Sequence, residues 1–211
     1  MRLLIIGASQ GTGAEATKNA LARGHQVTAF SRNPQKLALD HPKLTRYAGD
    51  FHQASSVAAA MPGHDAVIVT ASATRLKAFK ENPRYFSQGT GYTIDAMKAN
   101  GVERLVVLSA LGTGESRKLA GFLLDKLVIS FLLKVPFEDH ERQEELVRAS
   151  GLEWVIARPG RLTNGPARKR YVTKTEIEPV PKSISRADLA DFLVEAAESD
   201  RFVGKAVQLG G

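Results

Sequence analysis

The residues best suited to chemistry in this chain form a glycine-rich loop, Gly7-Ala8-Ser9-Gln10-Gly11-Thr12-Gly13, set between a short apolar run and a segment of helical period. In that setting glycines allow a tight turn and close backbone approach, and the unpaired N–H groups of a helix start face whatever lies over the loop. A nucleotide pyrophosphate needs all of these, so the loop predicts a dinucleotide site with Gly7, Ser9, Gln10, Gly11, Thr12 and Gly13 on its phosphate side. A plain strand-to-helix turn is the alternative. The second apolar run ends in Phe30-Ser31-Arg32, where an acid would hold a ribose 2′-hydroxyl, and no acid is present. Ser31 can donate a hydrogen bond and Arg32 can pair with a 2′-phosphate, which predicts NADP(H) over NAD(H); a solvated loop arginine is the competing reading. Two later strand ends complete the groove. Asp50 is placed to reach an adenine amino group and Phe51 to cover the ring, while Thr70, Ala71 and Ser72 are small enough to pass under ribose and pyrophosphate.

Other chemistries are excluded by composition. The chain has no cysteine, and its five histidines, at 25, 41, 52, 64 and 140, lack HxxxH or HExxH spacing, so no metal site is expected. There is no Gly-x-Ser-x-Gly elbow for a serine hydrolase.

These residues must be held by a scaffold, and the chain of 211 residues alternates short apolar runs with helix-period segments. Runs at 3–6, 27–30, 44–48, 66–70, 105–108, 154–157 and 206–209 read as strands, most of them apolar throughout, as in a parallel sheet covered on both faces. Helices are expected near 12–23, 54–61, 84–100, 138–150 and 186–199. Asn100-Gly101 and Ser150-Gly151 are stop signals, and Ser185 with Asp188 is a capping-box-like start. The alternation predicts an α/β fold, a doubly wound parallel sheet in a single domain over 1–211. The irregular stretch 158–184 is expected to form a substrate-side flap. The apolar region Leu119 to Phe137 is broken by Asp125, Lys126 and Lys134; it reads as a packed or lid helix rather than a membrane span. The start of the chain reads as a strand rather than a leader, and a cytoplasmic location is expected.

Taken together, GASQGTGAEATKNALARGHQVTAFSRNP, GDF, DAVIVTASA, MKANGVERLVVLSA, LVRASGLEWVIARPGRLT and ISRADLADFLVEA resemble the atypical short-chain dehydrogenase/reductase superfamily. The similarity is strongest to the NAD(P)H-binding group of biliverdin-IXβ/flavin reductases and NmrA-like proteins. It implies a Rossmann-like fold with NADP(H) at the carboxyl ends of the strands. It also implies that Ser109 is the active-site serine, with its hydroxyl on a substrate carbonyl or the nicotinamide, and that Pro159 turns the chain around the nicotinamide. The sequence departs from the family in two places. Glutamine stands at the middle glycine of Gly-x-x-Gly-x-x-Gly, and the Tyr-x-x-x-Lys pair is missing, its slots falling at Pro136 and His140. The unperturbed pKa of an imidazole suits His140 to a proton relay, and an exposed acidic helix around it is the alternative.

Lys and Arg outnumber Asp and Glu by 29 to 22, a net charge of +7. Six basic residues and no acid lie between Ala157 and Thr175: Arg158, Arg161, Arg168, Lys169, Arg170 and Lys174. The run is either a solvated face or an attraction for an anionic acceptor. Nucleic acid is disfavoured because interleaved stacking aromatics are missing, Tyr171 alone standing nearby. The expected function is NADPH-dependent hydride transfer to a planar acceptor of flavin, quinone or tetrapyrrole type, by a monomer or homodimer acting on a small molecule, with no nucleic-acid or membrane partner. The competing reading is an NmrA-like NADP(H) sensor. A sugar-nucleotide epimerase would need a tyrosine base and a larger C-terminal portion.

Overall fold

The computed structural model describes residues 1–71, 77–119 and 133–211. Ten strands and six helices alternate through them: β1 (Arg2–Ile6), α1 (Gly11–Ala22), β2 (Gln26–Ser31), β3 (Leu44–Ala48), α2 (Ala54–Ala60), β4 (Ala66–Val69), α3 (Lys77–Glu81) and α4 (Tyr85–Ala99). There follow β5 (Arg104–Leu108), α5 (Lys134–Arg148), β6 (Glu153–Pro159), β7 (Arg161–Thr163), β8 (Val172–Lys174), β9 (Ser183–Ser185), α6 (Arg186–Glu198) and β10 (Lys205–Gly210). Eight strands form one sheet in the order β3-β2-β1-β4-β5-β6-β10-β8. All its neighbours are parallel except β10 with β8, so the expected parallel sheet carries one antiparallel edge strand. That edge comes from the 158–184 stretch, whose other strand, β7, pairs with β9 in a small second sheet.

The apolar runs alternate between two cores. Leu3, Ile5, Ala66, Ile68, Val106 and Val155 pack on one face under α1 and α6; Leu4, Ile6, Val67, Val69, Leu105, Val107 and Ile156 pack on the other with α2 and α4. Two buried faces explain why the strands show no polar alternation. Helix α5 begins four residues before the expected start because Pro136 falls in its first turn, where a missing N–H costs nothing. Helix α6 starts as its sequence predicts: Ser185 Oγ accepts from Asp188 N–H. Most of the apolar 119–137 region lies outside the described residues, as does Ser72. Among the described residues no helix is long and apolar enough to cross a membrane.

The sheet order reverses direction between β1 and β4. The carboxyl ends of these two strands flank a crevice of the kind in which open α/β sheets hold ligands.

Candidate functional site

A cavity of about 400 Å³ opens in that crevice, lined by Ile6, Gly7, Ser9, Gln10, Phe30 to Asn33, Lys36, Gly49 to His52, Ala71 and Tyr85. Its floor is the glycine loop. The N–H groups of Gly7 and Ala8 both donate to Phe30 O, at 2.9 and 3.3 Å, which ties the loop to β2. Gln10 caps α1 in an extended conformation with no side-chain cap bond, and no acid stands in the first turn. The first amides of α1 are thus left to an external anion. Gly7 lies so close to the chain leaving β4 that a Cβ there would sit 2.7 Å from Ala71 N. Thr12 and Gly13 are buried behind the loop, and Thr70 Oγ1 donates to Ile6 O at 2.9 Å. Thr70 therefore braces β1 against β4 where the chain passes the glycine loop.

At the end of β2 the buried Ser31 hydroxyl has no hydrogen-bond partner among the described residues. Arg32 is exposed beside it, and Lys36, on the turn Pro34–Lys36, brings a second cation to the same end of the cavity. An orphaned hydroxyl next to two cations fits a phosphate monoester. Asp50, the acid in the lining, accepts from His52 N–H at 2.9 Å and lies 3.4 Å from His52 Nδ1. Phe51 is corrected from its expected role. Its ring is buried under Gly89 of α4, where a Cβ would meet it at 2.4 Å, so it is a core residue and not a free cover. The aromatic wall is formed instead by His52 and Tyr85, whose rings meet edge to face at 4.3 Å. Burial raises the Tyr85 phenol above its usual range; Asp50 adds to this and Arg32 opposes it.

A second group of predicted residues meets at the ends of β5 and β6. Ser109 N–H donates to Ala157 O at 2.8 Å and Leu111 N–H to Pro159 O at 2.9 Å, fixing Ser109 and Pro159 side by side. The Ser109 hydroxyl donates to Glu144 Oε1 at 2.7 Å. Glu144, only 1% exposed, also receives Arg158 Nε at 2.9 Å and Nη2 at 2.5 Å, and Arg148 Nη1 at 2.9 Å. Arg158, fully buried, reaches on to both carboxylate oxygens of Glu115 at 3.0 Å. Burial alone would lower the Arg158 pKa, but the bonds from Glu144 and Glu115 override it and hold the guanidinium above its ordinary value. The Arg158 bonds in turn hold the Glu115 carboxyl below its ordinary value. One expectation is corrected here: Arg158 is an internal ion-pair partner and not part of an exposed basic flap. In this arrangement the Ser109 hydroxyl donates its hydrogen bond to Glu144, and its oxygen is left to accept.

His140 stacks on Phe86 with ring centroids 4.0 Å apart, and its Nδ1 lies 2.9 Å from Gln143 Oε1. Gln143 Nε2 donates to Thr90 at 2.9 Å, which leaves Oε1 to accept from a protonated Nδ1 and leaves the lone pair on Nε2. Burial lowers the His140 pKa below the usual imidazole value, against the raising effects of Gln143, Glu144 and Asp139. A lowered pKa favours the neutral imidazole, the form that can take up a proton at Nε2. Nor is its helix simply an exposed acidic face. Asp139, fully buried, accepts from Phe86 N–H and Ser87 Oγ, both at 2.6 Å, and so caps α4.

A family model described as NAD(P)H-binding matches residues 7–200. The chain belongs to the NAD(P)H-binding family. Its groove and glycine loop are where that family's cofactor chemistry requires them, which agrees with the resemblance drawn from the sequence. The chain is similar over 99% of its length to an uncharacterized chloroplastic protein of Arabidopsis thaliana, with 26% identity over 218 residues that span 76% of that protein. Among solved structures it resembles ChuY, an anaerobillin reductase from Escherichia coli O157:H7, with a TM-score of 0.81 and 23% identity over 100% of this chain and 97% of that one. It also resembles a short-chain dehydrogenase/reductase from Veillonella parvula DSM 2008 determined in complex with NADP. The TM-score there is 0.83, with 16% identity over 100% and 94% of the two chains. At such identities the two structures establish the shared fold.

Within this NAD(P)H-binding fold, sequence reading missed Lys36, His52, Tyr85 and Glu144. Lys36 was findable, since it lies four residues beyond Arg32 in a turn begun by Pro34. The other three depend on chain segments distant in sequence and left no local signal. Among the described residues no cluster of His, Asp or Glu could hold a metal ion.

Proposed function

We propose that the protein is an NADPH-dependent reductase passing a hydride to a planar acceptor of flavin, quinone or tetrapyrrole type. The observation that carries the cofactor choice is the orphaned, buried Ser31 hydroxyl flanked by Arg32 and Lys36, with no carboxylate on the end of β2. Bound NADPH supplies the hydride. The chain's residues bind and orient: the first amides of α1 take the pyrophosphate, Ser31, Arg32 and Lys36 take the 2′-phosphate, and Ser109 Oγ accepts a hydrogen bond beside Pro159. Ser109 and His140 are both set as acceptors. An acceptor whose reduced form takes its proton from water suits such a site. The likeness to the ChuY and Veillonella parvula structures, a reductase and an NADP complex, lends support. In the flap, Arg161, Arg168 and Arg170 are exposed without a carboxylate partner among the described residues and would favour an anionic acceptor. We take the unit over 1–211 to act in the cytoplasm as a monomer or homodimer, on a small molecule and not on nucleic acid or membrane.

Titration with NADPH and NADH tests the cofactor choice. NADPH should bind more tightly, and Arg32→Ala should weaken it about 10- to 100-fold, the range of one or two charge-assisted bonds, with NADH little changed. Equal loss for both would defeat the assignment. Turnover is tested by following NADPH oxidation with flavin, quinone and tetrapyrrole acceptors. A second reading, an NADP(H) sensor, is favoured by one observation: Ser109's proton is held by Glu144. Tight NADPH binding without oxidation by any acceptor would select it.

A further inference from the structure

We infer that Arg186 is a cation for the cofactor's pyrophosphate, beside the α1 amides, and that through it the bound phosphate fixes the 158–184 flap. The inference rests on reading the groove as the NADP(H) site. Arg186 is the first residue of α6, next to the N-cap Ser185. Its side chain lies over the glycine loop: a Cβ built on Gly11, the first residue of α1, would be 3.6 Å from Arg186 Nε and 3.8 Å from Cδ. Arg23, Arg104 and Arg158 all meet carboxylates, at 2.6, 2.5 and 2.5 Å. Arg186, half-buried, meets only a neutral oxygen: Nη1 donates to Asn164 Oδ1 at 2.6 Å. Its Nε, the atom nearest the loop, has no acceptor among the described residues. A guanidinium that lacks a counter-charge, beside helix amides that lack an acceptor, is matched by one anion between them. The absence of a side chain at Gly11 leaves the space for both.

The flap enters because it is fastened to the same turn of α6. Asn164 is held by Arg186, and the amides of Arg168 and Lys169 both donate to Asp188 Oδ1 at 2.8 Å. The Asp188 anchor is internal and permanent. The Asn164 anchor depends on where the Arg186 guanidinium sits, and a phosphate on α1 would hold it there. Cofactor binding therefore tightens the 160–165 segment before an acceptor arrives.

The experiment compares NADP+ with adenosine 2′-monophosphate, which keeps the 2′-phosphate and lacks the pyrophosphate. Calorimetry on Arg186→Met should show NADP+ weakened about tenfold and the monophosphate unchanged, with partial recovery in Arg186→Lys. Arg32→Ala should weaken both ligands. Hydrogen exchange should show amides 160–165 protected by NADP+ but not by the monophosphate. That protection should vanish in Arg186→Met, and also in Asn164→Ala, in which NADP+ should be weakened less than in Arg186→Met. Unchanged NADP+ binding in Arg186→Met, or flap protection by the monophosphate alone, would overturn the inference and leave the groove assignment standing. A wild-type chain that binds neither ligand would bring down the groove assignment and this inference with it.

Discussion

Replacing Arg158 with methionine is expected to destabilise the protein by about 3–5 kcal/mol, the cost of leaving a buried carboxylate without its cation. Glu144 is 1% exposed and Arg158 fully buried, so water cannot take over the lost bonds. Arg148 remains on Glu144 Oε2, but Oε1 would keep only the Ser109 hydroxyl. For a chain of this size the loss corresponds to a fall in Tm of roughly 10 °C. Arg158→Met/Glu144→Gln should recover part of it, because the double change removes the stranded charge as well as its partner. Urea unfolding of the two single variants and the double variant measures the coupling. A loss below about 1 kcal/mol in Arg158→Met would mean that the cluster behaves like an exposed ion pair.

Arg158 also shows where the sequence ceases to be legible. The strands could be read because each apolar run records burial on two faces, and β1, β4 and β5 are apolar along almost their whole lengths. The glycine loop could be read because its constraint is local: turn, helix start and close approach fall within seven residues. Arg158 lies in a run of basic residues and looks like one of them. That it ends an otherwise apolar strand is the sign that it needs a buried partner, but its partners come from α5 and from the 114–119 turn, which no local pattern connects to β6. Phe51 was misplaced for a similar reason. Its position after β3 suits a ring cover, but Gly89 in α4 opens a slot that draws the ring into the core. The helix period of α5 gave no sign that Asp139 and Glu144 point inward, since acids on a helix are ordinarily read as its wet face.

The glycine loop supplies the other large effect, because three of its glycines are required for different reasons. At Gly13 the backbone is ordinary for a helix, and the constraint is collision: a Cβ would lie 2.2 Å from Gly7 O and 2.6 Å from Thr70 Oγ1. The first of these is backbone, so α1 itself must move away from β1. Gly13→Ala is expected to cost about 3 kcal/mol, the upper end for overpacking, and to weaken NADP+ by well over tenfold as the phosphate-facing amides shift. At Gly11 the space is open apart from the Arg186 side chain, and the constraint is φ of +57°. Gly11→Ala should cost only about 1–2 kcal/mol, and Gly11→Asn less, since asparagine tolerates the left-handed region. Gly7 carries both constraints, with φ of +88° and a Cβ position 2.7 Å from Ala71 N, so Gly7→Ala should be at least as damaging as Gly13→Ala. Thermal unfolding and NADP+ titration of the variants give the ranking. If Gly11→Ala proved as harmful as Gly13→Ala, backbone conformation and not helix–strand contact would set the geometry of the loop.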